Sequence, residues 1–308
     1  MTAPALPAAL TAGVALTLLA GGCAPAPGAA SQASGASSST PPAASTSAPT
    51  PTRTTPTRTA TRPQRPASTP VRTSATTTAT ANASQVLPPV PRSGAKPDVR
   101  FPANRAAVGA GANATVEPVP DSVWDRMVGY SWTPGCPVGR SALRYVSVNF
   151  WGFDGRRSRG SLVVNGSIAG QTSAAFSRLY DLRFRVRQMR PMDASWGRNP
   201  KGPGANDYAA MEADNTSAFN CRYVGGEEAS RVYSKHAYGT AIDINDVENP
   251  YVASDGTVYP DSYWLRRRGP APGVFTSSSS AAVRAFTNQG MRWGGLWSDP
   301  DFQHFEAP

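Results

Sequence analysis

The chain has 308 residues and a net charge of +10, but the charge is distributed unevenly. The first 100 residues carry eight basic residues and one acidic residue, whereas the rest of the chain carries 22 and 19. A nucleic-acid-binding domain carries its basic excess on a folded face, so this distribution argues against nucleic acid as a partner.

Residues 1–22 have the pattern of an export signal. Residues 10–20 form an apolar run that is too short to span a bilayer. The run ends in Leu19-Ala20-Gly21-Gly22-Cys23, which resembles the lipobox of bacterial lipoproteins, in which the cysteine thiol is acylated. The sequence therefore predicts a signal peptide over residues 1–22 and a lipid anchor on Cys23. An ordinary secretory signal with an incidental cysteine is the alternative, because no Lys or Arg precedes the apolar run.

Residues 23–118 are predicted to be a disordered linker. Residues 24 to about 100 are dominated by Ala, Ser, Thr and Pro, and they hold almost no large apolar side chains. Such a segment cannot bury enough apolar surface to offset the entropy lost on ordering. Its arginines suit a nearby anionic polymer or lipid surface, or they only keep a solvated linker extended.

Residues 119–308 are predicted to form a single α+β domain. All seven Trp and all ten Tyr lie in this part of the chain, which is long enough to build one core. Strands and helices follow one another without a regular βαβ repeat, which favours a mainly antiparallel sheet flanked by helices. The predicted elements are a hairpin of strands over residues 143–150 and 160–168 with a turn at 153–156, and helices over 173–182 and 281–289.

Two cysteines remain if Cys23 carries a lipid. An even pair in an oxidising compartment predicts a disulfide between Cys136 and Cys221. Two buried, unpaired thiols are the alternative.

The chain contains two histidines, His236 and His304. Gly239 permits a turn after His236, and the strand that follows places Asp243 on the face away from the core. Together with His304 from a distant strand, these residues would make a three-ligand site with a fourth position open, as catalytic zinc requires. Asp301 lies three residues before His304 and is a candidate base. The spacing alone leaves a metal site and a chance match both open, because a lone histidine is usually an ordinary polar residue.

The two histidine segments resemble the VanY-like zinc D-alanyl-D-alanine carboxypeptidases and their relatives, the L-alanyl-D-glutamate endopeptidases of phage endolysins. The shared pattern is Ser-x-His-x-x-Gly-x-Ala-x-Asp, followed later by an acidic residue, two spacers and His. The matching residues here are Ser234, His236, Gly239, Ala241, Asp243, Asp301 and His304. Residues 214–222, Cys136-Pro137 and the predicted hairpin also resemble the VanY-like branch, so the resemblance covers about residues 120–308.

This resemblance implies a role for each matched residue. His236, Asp243 and His304 are implied as zinc ligands, and Asp301 as the general base. Arg222 matches the arginine that steadies the substrate carbonyl or the oxyanion in this family, with a surface arginine beside a disulfide as the alternative. The implied fold is the zinc D-Ala-D-Ala peptidase (hedgehog-like) fold.

The implied function is hydrolysis of a peptide bond in peptidoglycan stem peptides, with D-alanyl-D-alanine carboxypeptidase activity favoured. Cleavage of the L-Ala–D-Glu bond or of a cross-bridge is the alternative within the same chemistry. A non-catalytic wall-binding lipoprotein and an adhesin that acts through its basic linker are alternatives of another class. We expect a monomer that faces the cell wall from the outer side of the membrane, held there by its lipid anchor.

Several residues near the motifs have two interpretations. Trp293 and Trp297 are predicted to lie in the core rather than in a cleft. Glu306 either hydrogen-bonds a ligand histidine or is solvated. Asp246 and Glu248 are predicted to lie on a surface loop.

Overall fold

A computed structural model describes residues 86–88, 103–225 and 228–308. The predicted signal peptide, the predicted lipid anchor on Cys23 and most of the predicted linker lie outside these residues. Among the described residues, none of the helices has the length and apolar character needed to cross a membrane.

The described part of the chain contains four α-helices and eleven short or medium strands. The helices are α1 (Asp121–Met127), α2 (Ala169–Asp181), α3 (Asp207–Glu212) and α4 (Ala281–Thr287). The strands are β1 (Arg105–Ala106), β2 (Thr115–Pro118), β3 (Leu143–Trp151), β4 (Arg157–Asn165), β5 (Gln188–Met189), β6 (Asn215–Thr216), β7 (Ala241–Asp243), β8 (Tyr251–Val252), β9 (Val258–Tyr259), β10 (Arg292–Trp293) and β11 (His304–Glu306).

The largest sheet is antiparallel, with the strand order β1-β4-β3-β2. Its centre is the β3–β4 hairpin, which confirms the hairpin predicted from the alternation of apolar residues. A smaller antiparallel sheet has the order β10-β11-β7, the β8–β9 pair is antiparallel, and the β5–β6 pair is parallel. This mixture of helices with mainly antiparallel sheets agrees with the predicted α+β class.

The sheet begins earlier in the chain than residue 119, where the sequence places the start of the domain. β1 pairs with β4 and β2 pairs with β3, so residues 105–118 contribute strands to the large sheet. The composition did not reveal these strands because their side chains are exposed and their contribution is backbone pairing. The predicted linker therefore extends too far at its carboxy-terminal end.

The main core lies between the large sheet, helices α2 and α4, and the small β10-β11-β7 sheet. Phe176 of α2 meets Phe286 of α4 edge to face at 5.4 Å, and Phe286 stacks on Phe305 of β11 at 4.3 Å. Ile242 and Ile244, on and just after β7, are also fully buried in this core. One face of the β7–β11 pair is therefore fixed by apolar packing, which leaves its other face for polar residues.

A disulfide joins Cys136 to Cys221, with their Cα atoms 5.9 Å apart. Cys221 is buried in a second apolar cluster together with Met127 of α1 and Phe219. This pairing is the one expected from the two cysteines that remain after Cys23. It ties the segment after α1 to the residues that precede the first histidine motif.

Candidate functional site

His236 is positioned by a single turn of 3-10 helix over Lys235–Tyr238. Ser234 caps this turn by accepting a hydrogen bond from the His236 N–H, and Gly239 ends it in the left-handed conformation with φ +69°. A Cβ atom on residue 239 would lie 2.8 Å from the backbone nitrogen of Asn165. The motif glycine is therefore required both by its φ and by the close approach of β4.

Asp243 and His304 face each other on adjacent strands, at paired positions of β7 and β11. His304 Nδ1 lies 2.9 Å from Asp243 Oδ1, and His236 Nε2 lies 3.0 Å from Asp243 Oδ2. The two imidazoles approach at 3.3 Å between His236 Nε2 and His304 Nδ1. The structure thus brings the three predicted ligands together as a buried cluster whose ligand atoms all lie within 4.8 Å of one another.

Neighbouring acceptors determine which ring nitrogen of each histidine faces this cluster. His236 Nδ1–H donates to the carbonyl oxygen of Ala218 at 2.6 Å, which leaves Nε2 for the cluster. On the other ring, His304 Nε2 lies 3.5 Å from Glu306 Oε2, and Nδ1 faces the cluster. Arg292 holds Glu306 in turn, at 2.6 Å. Glu306 therefore supports a histidine, as one of its two interpretations proposed, and such partners orient ligand histidines in metal sites.

The cluster favours an added positive charge. Burial acts to raise the pKa of Asp243, but the charge and hydrogen bonds of the two imidazoles outweigh it and hold that pKa well below the usual range. Burial acts to lower the pKa of His304, but hydrogen bonds to Asp243 and Glu306 raise it to about 10. A proton bound in this cluster and a metal cation would compete for the same nitrogen and oxygen atoms.

The donor set fits zinc. Two imidazole nitrogens and one carboxylate oxygen are ligand types that zinc prefers, and three protein ligands leave a position for water or substrate. The hydrogen bond from His236 to Ala218 and the contact of His304 with Glu306 supply the outer partners that such ligands need.

Asp301 lies beside the cluster but outside it. Its Oδ2 is 4.0 Å from His304 Nδ1, and its Oδ1 is buried with no hydrogen-bond partner among the described residues. Burial raises the pKa of Asp301 to about 7, with the charge of Asp243 acting in the same direction. A carboxylate in this position is placed to handle a proton in the cleft rather than to complete the ligand set.

Arg222 is a largely buried cation that lines the same cleft. Its Nε lies 2.9 Å from Asp207 Oδ2, and Asn220 donates to the other oxygen of Asp207 at 3.3 Å. Burial acts to lower the pKa of Arg222, but the charges of Asp207, Asp243 and Asp301 outweigh it and raise that pKa. The interpretation of Arg222 as a surface arginine is therefore wrong.

Asp207 is a site residue that the sequence analysis missed. It is the first residue of α3, directly after Asn206, whose side chain caps the helix by accepting from the Ala209 N–H. The pair Asn206-Asp207 is typical of a helix start, and this signal was available in the sequence. The pairing of Asp207 with Arg222 could not be predicted from the sequence, because local patterns do not report contacts between separate segments.

The cleft above the cluster encloses about 220 Å³. Its walls include Tyr208, Tyr251 and Trp297, and the Trp297 ring lies 5.3 Å from the His304 ring. Trp297 is 41% exposed, so its predicted core position is wrong, whereas Trp293 is buried as predicted. The cleft therefore combines a polar floor with aromatic walls, which is typical of a site for a small organic ligand.

Asp246 and Glu248 are buried, so their predicted position on a surface loop is wrong. Asn245 has φ 51°, and residues 246–250 that follow it are all buried. Arg187 then pairs with Glu248 at 3.1 Å and with Asp214 at 3.1 Å. Burial raises the pKa values of Asp246 and Glu248 well above the usual carboxyl range. The partner of Glu248 lies 61 residues earlier in the chain, beyond the reach of local patterns.

Residues 227–307 match the family model described as D-alanyl-D-alanine carboxypeptidase. The matched range contains His236, Asp243, Asp301 and His304, whereas Arg222 precedes it. The match confirms the resemblance to the VanY-like family and supports a peptidase. Neither the comparison with curated proteins nor the comparison with solved structures returned a match.

Proposed function

We propose, from the family match of its carboxy-terminal segment, that the protein is a zinc-dependent D-alanyl-D-alanine carboxypeptidase that acts on peptidoglycan stem peptides. The observation that carries the proposal is the buried cluster of His236, Asp243 and His304, whose two histidines line a cleft together with Asp301 and Arg222. A ligand set, a spare carboxylate and a cation in one cleft are the groups that amide hydrolysis needs.

The three clustered side chains would hold the metal. Bound zinc supplies Lewis acidity toward the scissile carbonyl and lowers the pKa of water. His236 and His304 stay oriented for this task through Ala218 and Glu306. Their burial beneath the cleft keeps bulk water from competing for the ligand atoms.

Asp301 acts as the general base of the proposed reaction. Its buried carboxylate accepts a proton from the attacking water and later delivers that proton to the leaving amine. The Oδ1 atom is not engaged by any other described residue, so it is free for this transfer. A spare carboxylate of this kind has no use in a purely structural metal site.

Arg222 stabilises the negative charge that develops on the carbonyl oxygen, or it binds a carboxylate of the substrate. Asp207 holds the guanidinium by its Nε, at 2.9 Å. Arg222 lines the cleft, and Nη1 donates to the Tyr223 carbonyl at 3.2 Å. We assign its remaining terminal N–H groups to the substrate.

The bond that is cut can be identified from products. The purified protein is incubated with a stem pentapeptide ending in D-Ala-D-Ala and with cross-linked muropeptides, with and without chelator, and the products are analysed by mass spectrometry. We expect loss of one terminal D-Ala from the pentapeptide, abolished by chelator and restored by zinc. Cleavage between L-Ala and D-Glu, or of the cross-bridge, would identify an endopeptidase instead. Full zinc occupancy without cleavage of any substrate would identify a non-catalytic wall-binding protein.

We also propose that the protein is exported and anchored by lipid on Cys23, facing the cell wall. The short apolar run at residues 10–20 and the Gly21-Gly22-Cys23 ending support this proposal. Labelling of cells with a fatty-acid probe is expected to mark the wild-type chain and not the Cys23→Ser variant. Equal labelling of both chains would overturn it.

We infer further that the described domain has the zinc D-Ala-D-Ala peptidase (hedgehog-like) fold. The position of two candidate ligands on paired strands of a small antiparallel sheet supports this inference.

A further inference from the structure

A second concavity lies on the large sheet and shares no lining residue with the cleft above the histidines. Its walls come from the edge at β1, from β3 and β4, from α1, and from the segment that follows β5. It encloses about 250 Å³. We call it the arginine pocket, after the four arginines that line it: Arg105, Arg126, Arg159 and Arg190.

The positive charge of the arginine pocket is mostly uncompensated. Asp193 is the one acidic residue in its lining, and it pairs with Arg126 at 2.9 Å. The other three arginines have no carboxylate within ion-pair distance among the described residues. The pocket therefore carries an excess of about three positive charges in a small volume.

The strand pairing brings two of these charges together at an energetic cost. Arg105 of β1 lies directly opposite Arg159 of β4, and like charges at paired positions destabilise a sheet. Arg159 is only 8% exposed, and its guanidinium donates to neutral acceptors, the Asn113 carbonyl and the Thr115 hydroxyl. Burial and the charge of Arg105 both lower the pKa of Arg159. Tyr145 and Glu117 act on that pKa in the opposite direction but do not restore it, so a bound anion would relieve the repulsion that remains.

We propose that the arginine pocket binds a phosphoryl group, either as free phosphate or a phosphate monoester, or as the phosphodiesters of an anionic polymer. Planar guanidinium groups bind phosphate oxygens in pairs of parallel hydrogen bonds. An excess of about three charges suits a dianion, or two adjacent phosphodiesters, better than the single charge of a carboxylate. The inference rests on the pocket alone and does not depend on the proposed peptidase function.

The test uses the full chain and calorimetric titration at constant ionic strength. One titration uses inorganic phosphate, and a second uses an oligomer of glycerol phosphate. Arg105→Gln and Arg190→Gln remove one pocket charge each at residues that are not buried, so the fold is expected to survive. The matched control is Arg178→Gln, which removes the same charge from an exposed position on α2.

We expect saturable binding that weakens roughly tenfold or more in each pocket variant, because each loses a charge-assisted contact. The control variant is expected to bind like the wild type, and hydrolysis of stem peptides is expected to be unchanged in all three. Binding of the oligomer alone would identify the polymer as the source of the phosphoryl group, and binding of inorganic phosphate alone would identify the small anion. Equal weakening by Arg178→Gln, wild-type binding by both pocket variants, or equal displacement by acetate would each overturn the proposal.

Discussion

At the scale of single residues, two aspartates lie on the Nδ1 side of His304, and their positions suit different roles. Asp243 Oδ1 is 2.9 Å from His304 Nδ1 and belongs to the cluster, whereas Asp301 Oδ2 is 4.0 Å away and lines the cleft. A ligand must reach the metal, but a base needs only to reach the water. Substitution of each carboxylate therefore has a different expected consequence.

We expect Asp301→Asn to keep zinc and to lose turnover by ~10²–10⁴-fold, the usual effect of removing a general base. Asparagine keeps the shape of aspartate but does not take the proton, so the loss should fall on kcat rather than on substrate binding. Asp243→Ala is expected to lower both zinc content and activity. Metal analysis and turnover measured on the same preparations provide the check.

His236→Ala and His304→Ala serve as controls, and each is expected to reduce zinc from about one per chain to a small fraction. If Asp301→Asn lost its zinc, or kept near wild-type turnover, the division of roles would be wrong. Asp299 would then be the next carboxylate to examine, as the nearest one in the segment before His304.

The buried carboxylates Asp246 and Glu248 predict a pH dependence of stability. Their raised pKa values mean that the folded state holds protons that the unfolded state has released, so unfolding free energy falls as pH rises above the ordinary carboxyl pKa of roughly 4. The slope for one group is at most about 1.4 kcal/mol per pH unit. Glu248→Gln is expected to flatten this fall.

Urea unfolding at several pH values, in the presence of chelator, measures the effect without a contribution from metal. Glu212→Gln, at an exposed glutamate on α3, is the matched control and is expected to leave the slope unchanged. A Glu248→Gln chain with the full wild-type slope would show that Glu248 titrates alike in the folded and unfolded states.

At the scale of elements, the turn and strand that carry His236 and Asp243 depend on Gly239. Gly239→Ala combines a positive φ with a Cβ placed 2.8 Å from the backbone of Asn165. Gly290 has a comparable φ of +85° but nothing within 4 Å of its added Cβ, so Gly290→Ala isolates the conformational cost. We expect Gly290→Ala to cost about 1 kcal/mol and Gly239→Ala to cost more, on the order of 1–3 kcal/mol in addition.

Unfolding free energy and zinc affinity are measured for both alanine variants. Only Gly239→Ala is expected to weaken zinc binding, because only that turn positions a candidate ligand. Equal losses of stability in the two variants would mean that the neighbouring strand moves aside at no cost.

The elements around the site were predictable where the signal was local. The alternation at β3 and β4, the helical spacing in α2 and α4, and the motif around His236 all lie within short windows of sequence. The Arg222–Asp207 and Arg187–Glu248 pairs were not predicted, because each joins segments that only the tertiary fold brings together. β1 and β2 were missed for a different reason, since their contribution to the sheet is backbone pairing and their side chains carry no apolar pattern.

At the scale of the whole molecule, the Cys136–Cys221 disulfide links the amino-terminal part of the domain to the site. Replacing both cysteines by alanine is expected to lower the unfolding free energy by on the order of 2–4 kcal/mol. Because Cys221 directly precedes Arg222, turnover is also expected to fall at temperatures at which the variant is still folded.

Denaturant unfolding and turnover, each compared with the wild type under oxidising conditions, test both expectations. Unchanged turnover in the folded variant would show that Arg222 is held by Asp207 without help from the disulfide. A free-thiol titration that found both cysteines reactive in the oxidised, folded wild type would remove the basis of the prediction.

The order β1-β4-β3-β2 gives the segment before residue 119 a role in keeping copies of the protein apart. β1 and β2 cover part of the two outer edges of the β3–β4 hairpin, and an uncovered strand edge is a template for pairing with another chain. A chain shortened to begin at residue 119 would retain every candidate catalytic residue and lose both edge strands, β1 and β2. We expect such a chain to self-associate in light scattering as its concentration rises, while a chain that begins at residue 103 does not.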